Sequence, residues 1–114
     1  MSESDGLNNL KFARTLFATW KACGLRCVGL APGARCAPLT LAARESGLEI
    51  VRVDDERSAC FVALGWARIE GRPAAVVTTS GSAVANLLPA AVEARQSGIP
   101  MLLVTADRPV RLRS

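Results

Sequence analysis

The chain has 114 residues, half of them apolar, enough for one domain whose core needs neither metal nor disulfide. It has a net charge of +4 and no histidine, which excludes Ser-His-Asp and Cys-His nucleophiles built from this chain alone. No apolar run approaches the roughly 20 residues of a membrane span, and the acidic, polar start MSESDGLNNLK is unlike a signal peptide, so a cytoplasmic protein is expected.

Leu10, Ala13, Phe17 and Trp20 recur at three- and four-residue steps, which predicts a helix from about Asn8 to Cys23, stopped by Gly24. Leu25 to Leu30 is a short apolar strand that runs into the tight loop Ala31-Pro32-Gly33-Ala34-Arg35. A second helix is predicted over Ala37 to Ser46, with Pro38 in its first turn and Gly47 after it. Strand Leu48 to Val53 leads through Asp54, Asp55 and Glu56 into a helix that ends at Glu70 and Gly71. In that helix Cys60, Val62, Ala63, Leu64, Trp66 and Ala67 occupy nearly every face, so burial is expected. Strand Ala74 to Thr78 exits into Thr79-Ser80-Gly81-Ser82, followed by a helix over Ala83 to Gln96 with an expected kink at Pro89. The last strand is Met101 to Thr105, leading into Ala106-Asp107-Arg108-Pro109.

Twelve of the fourteen basic residues are arginine, which suits fork-like recognition of carboxylates or phosphates. The arginines are scattered and tyrosine is absent, so no base-stacking platform for nucleic acid accompanies them. Cys23, Cys27, Cys36 and Cys60 are separated by three, eight and twenty-three residues, a spacing that matches no zinc pattern. No metal site is expected, and Cys27 and Cys60 read as small core residues.

Four apolar strands alternating with helices predict an α/β fold in three layers, a parallel sheet with helices on both faces. Ligands bind such sheets at the carboxyl edge of the strands. Here that edge carries PGAR, DDER, TSGS and TADR, whereas the opposite edge carries only helix-stop glycines and prolines. Each loop also has a structural reading. The acids at 54 to 56 fit helix capping and the helix dipole as well as chemistry in a cleft. Arg35 fits a carboxylate clamp or a solvated turn. Ser80 and Gly81 fit a cradle for an anion or flat ring, or plain N-capping. Arg108 fits an internal ion pair, or a partnership with Arg35 on a dianionic substrate.

Taken together, APGARCAPLTLAARE, VDDERSACFVALGWA, TTSGSAVANLLPAAVEA and PMLLVTADRP resemble the N-terminal, pyrimidine-binding domain of thiamine-diphosphate enzymes. Within that family they are most similar to the menaquinone-pathway synthases that join 2-oxoglutarate to isochorismate. The resemblance covers about Leu10 to Val110 and implies thiamine diphosphate and Mg2+ as cofactors and a homo-oligomeric enzyme. It also implies that Glu56 is the catalytic, cofactor-binding carboxyl beside N1′ of the aminopyrimidine. A hydrogen bond there favours the 4′-imino tautomer, the base that deprotonates thiazolium C2. By the same resemblance Ser80 and Gly81 line the cofactor's pyrimidine side, and Arg35 and Arg108 grip substrate carboxylates.

The family usually reads S-P-G-S-R-S where this chain has Ala31, Ala34 and Cys36, so hydroxyls expected near the substrate are replaced. The family's domain continues through further sheet and a glutamine that lines the site, and a separate diphosphate-binding domain carries a magnesium-binding G-D-G motif that this chain lacks, so residues 1–114 are expected to be an incomplete domain, inactive alone. Two rival readings are another decarboxylase-type member such as acetolactate synthase, and a non-catalytic binding module with the same fold.

Overall fold

The computed structural model describes residues 3–31, 33 and 36–107. In chain order the elements are α1 (Glu3–Ala22), β1 (Cys27–Leu30), α2 (Ala37–Glu45), β2 (Glu49–Arg52), α3 (Glu56–Glu70), β3 (Ala74–Thr78), α4 (Ser82–Ala85), α5 (Leu88–Ser97) and β4 (Met101–Thr105). All strand pairs are parallel and the order across the sheet is β2-β1-β3-β4. The α/β expectation is met. The two central strands are buried along their whole length, as their continuous apolar runs require, while β2 and β4 are partly exposed.

The sheet separates two apolar layers. On one side Ala13, Phe17, Ala42 and Ala43 of α1 and α2 pack over Val28, Leu30, Ala75 and Val77. Phe17 is 1% exposed, a burial that contributes roughly 1.5–3 kcal/mol. Its ring meets Trp20 edge-on at 5.3 Å. On the other side Ala59, Cys60, Ala63 and Ala67 of α3, with Leu87 and Ala90, pack over Cys27, Ala74 and Val76. Small residues let α3 lie close to the sheet. A Cβ at Gly29 would stand 3.0 Å from the Ala59 carbonyl oxygen and 3.4 Å from the Ala63 Cβ.

Three expectations are corrected. The helix predicted over Ala83 to Gln96 is two helices, α4 and α5, where a kink at Pro89 was expected. Proline has no N–H to donate to Ala85, so the chain breaks at Asn86-Leu87 and restarts with Pro89 in the first turn of α5, where no such donor is needed. Helix α3 is buried on one face only. Phe61, Val62 and Ile69 are exposed, Ile69 by 85%, and Trp66 is half-buried with its indole N–H donating to Glu49. Helix α1 also starts at Glu3, ahead of the predicted Asn8.

Candidate functional site

Because all four strands are parallel, the loops that follow them emerge at one edge. Backbone hydrogen bonds carry the pairing one step past each strand: Ala31 donates to Val77, Val53 to Leu30 and Ala106 to Thr78, at 3.0 to 3.1 Å. The loops therefore leave from fixed starting points. The chain turns one way from β1 to β2 and the other way from β3 to β4, so β1 and β3 flank the switch point where open α/β sheets hold their ligands.

The three consecutive acids have separate fates. Asp55 is the N-cap of α3; its carboxylate accepts from the Ser58 amide at 2.9 Å and the Ser58 hydroxyl at 2.7 Å. Those bonds, the hydroxyl's first, hold Asp55 below the ordinary carboxylate range. Asp54 lies 3.4 Å from Arg52 in an exposed ion pair. Glu56, the first residue of α3, is half-buried, and among the described residues its carboxylate has no hydrogen-bond partner. Capping is complete without it, so it is left over for other work.

After β3, Thr78 is fully buried and its hydroxyl donates to the Thr79 carbonyl at 3.0 Å. Ser80 is half-buried. Gly81 has φ +81°, a conformation that favours glycine, and a Cβ there would meet nothing within 4 Å. The result is a bare stretch of backbone beside a hydroxyl, which suits the face of a flat heteroaromatic ring.

Of the sequence-predicted site residues, Glu56, Ser80 and Gly81 thus all lie at the carboxyl edge. Arg35 and Arg108 lie outside the described residues, as does Ala34. Ala31 is 2% exposed and Cys36 0%, so the two described departures from the family's serines fall in the interior, away from solvent.

A hollow of about 870 Å³ lies elsewhere, between the carboxyl ends of α1 and α2 at the opposite sheet edge. Its cations are already engaged: Arg14 by Glu45 at 2.8 Å, Lys21 by the Ser46 carbonyl at 2.8 Å, and Arg26 by two backbone carbonyls. Among the described residues no cluster of three acidic, cysteine or histidine side chains is placed to hold a metal ion. Nor is any helix among them long and apolar enough to cross a membrane.

A parallel α/β domain with a carboxyl that has no partner among the described residues, and a bare glycine turn at its switch edge, has the form of a cofactor-binding domain. The chain belongs to the thiamine pyrophosphate enzyme family, as the N-terminal TPP binding domain, whose model matches residues 10–114. It is 52% identical over 113 residues to the 2-succinyl-5-enolpyruvyl-6-hydroxy-3-cyclohexene-1-carboxylate synthase of Synechococcus sp. (strain RCC307), an alignment that covers 96% of this chain and 20% of that protein. It is 62% identical over 94 residues to the synthase of the same name from Synechococcus sp. (strain WH7803), covering 79% of this chain and 16% of that one. It is 50% identical over 105 residues to that of Haloarcula marismortui, covering 91% and 18%. The chain therefore spans at most about one fifth of the length of these curated relatives.

Proposed function

We propose that this chain is the pyrimidine-binding part of a 2-succinyl-5-enolpyruvyl-6-hydroxy-3-cyclohexene-1-carboxylate synthase, which decarboxylates 2-oxoglutarate and adds the remaining four-carbon acyl unit to isochorismate in menaquinone biosynthesis. The observation that supports the site assignment is the Glu56 carboxyl, without a partner among the described residues at the carboxyl edge while its two acidic neighbours are engaged. The relatives' shared name supports the choice of reaction.

When bound, thiamine diphosphate supplies the nucleophilic carbon and the electron sink that loss of carbon dioxide from a 2-oxo acid requires. Glu56 would hold a proton between its carboxyl and a ring nitrogen of the aminopyrimidine. Ser80 and Gly81 wall the ring and exclude water from that side. Arg35 and Arg108 are assigned to the substrate carboxylates, where a planar guanidinium can bind two oxygens at once. Mg2+, which would neutralise the charge of the diphosphate, is assigned to residues outside this chain. The complete enzyme is proposed to be a cytoplasmic assembly of identical subunits.

The test is Glu56→Gln in the complete enzyme that carries this chain. Loss of a positioned acid–base group lowers turnover by about 10²–10⁴-fold, with the circular dichroism spectrum unchanged. Activity that survives the substitution rejects the assignment.

A further inference from the structure

We infer that Gly33, Cys36 and Thr79 form a spacer that sets the separation of the loops leaving β1 and β3, and are positioning residues of the proposed site. Two observations meet at this point. Space at Gly33 demands glycine: a Cβ at 33 would stand 2.7 Å from the Thr79 Cβ and 2.8 Å from its Cγ2, closer than real Cβ contacts come. From its other side Gly33 is held by Cys36. The Gly33 N–H donates to the Cys36 Sγ at 3.1 Å, and the Gly33 carbonyl accepts from the Cys36 N–H at 3.1 Å and from the thiol at 3.2 Å.

Cys36, Gly33 and Thr79 are thus stacked across the switch point, and the stack has no slack for a methyl group. Cys36 is fully buried, with its sulfur 3.7 Å from the Thr40 hydroxyl. Thr79 in turn accepts from the Thr78 hydroxyl through its carbonyl. Each end of the stack is joined in sequence to a residue assigned to the site: Arg35 directly precedes Cys36, and Ser80 directly follows Thr79. The thiol is therefore a brace on the Gly33 backbone, and at position 36 no hydroxyl that would face substrate has been lost. The role in catalysis rests on the function proposed above, whereas the contact itself does not.

Two measurements test it. In the chain itself, NMR is expected to show a cross-relaxation peak between the Gly33 Hα and the Thr79 methyl, and Cys36→Ala is expected to speed exchange of the Gly33 amide while Cys36→Ser leaves it slow. In the complete enzyme with thiamine diphosphate and Mg2+, Gly33→Ala lowers kcat/KM for 2-oxoglutarate by about 100-fold, the scale of a 1 Å misplacement. The loss falls mainly on KM, with the protein folded by circular dichroism at the assay temperature. Gly33→Ala combined with Thr79→Gly moves the missing side chain across the contact and restores KM. Absence of the cross-peak, or a folded Gly33→Ala enzyme with the parent KM, overturns the spacer. A parent enzyme that shows no thiamine-dependent turnover overturns the functional reading instead, and the NMR result then decides the spacer alone.

Discussion

At the scale of single residues, neighbouring groups of one chemical type have quite different surroundings. Cys27, Cys36 and Cys60 are buried while Cys23 is exposed, and all four are free thiols. Burial, with a smaller contribution from Glu49, pushes the Cys27 thiol up to about 11, and burial raises Cys60 as well. We expect an aromatic disulfide reagent to titrate Cys23 alone in the folded protein, and all four thiols once denaturant is added. The Cys27 and Cys60 thiols stay protonated in the fold but ionise in the unfolded chain near the ordinary thiol value of about 8.5. Unfolded molecules therefore hold fewer protons than folded ones between that value and about 11, so stability is whole below pH 8 and falls across this window. Denaturation curves that do not change from pH 8 to pH 10.5 would refute this. The sequence already suggested that Cys27 and Cys60 belong to the core, because each lies within an apolar segment. It did not suggest the part played by Cys36, since a thiol bonded to a backbone three residues back leaves no mark on composition or periodicity. Glu56 could be picked out because two acids suffice to start a helix and the third was surplus; that Asp55 caps and Asp54 pairs with Arg52 required coordinates.

Among the elements, α3 governs the site, since its first residue is Glu56 and its closeness to the sheet depends on small side chains. Gly29→Val adds three carbons where one Cβ is already 3.0 Å from the Ala59 carbonyl oxygen. Overpacking of this kind costs about 1–3 kcal/mol, and because α3 must shift outward, Glu56 moves with it. Chemical denaturation is expected to show that loss, and a variant as stable as the parent would mean that the helix is not seated on Gly29. The bounds of α3, β3 and β4 were readable from the sequence because each ends at a sharp chemical signal: an acidic cap, a left-handed glycine, or a change from apolar to hydroxyl residues. The α4 and α5 region was not. Ala83 to Gln96 keeps a helical composition throughout, and only the missing donor at Pro89 decides that one helix becomes two.

For the whole molecule, one helical layer has a second apolar face. Phe61, Val62 and Ile69 of α3 and Leu88 and Val92 of α5 are 42 to 85% exposed, and α3 packs beside α5. Exposed apolar side chains on neighbouring helices favour association. The weight-average mass in sedimentation is expected to rise with concentration, and Ile69→Glu with Leu88→Glu to return it toward that of one chain. A single species of 12.0 kDa at high concentration would contradict this. Strand order was beyond the reach of the sequence: β1 to β4 are all short apolar runs, and nothing in their residues states that β1 lies between β2 and β3. The parallel class itself was readable from those same runs. The backbone bonds just past the strands, from Ala31, Val53 and Ala106, have a consequence for how such a domain can change. They involve main-chain atoms only, so of the possible substitutions at those three positions only proline removes the donor itself. Side chains farther along the loops, apart from the packed contact of Gly33, Cys36 and Thr79, can then be exchanged with the starting points of the loops kept. A designer who wants this sheet edge to hold a different ligand should begin grafting after those anchors.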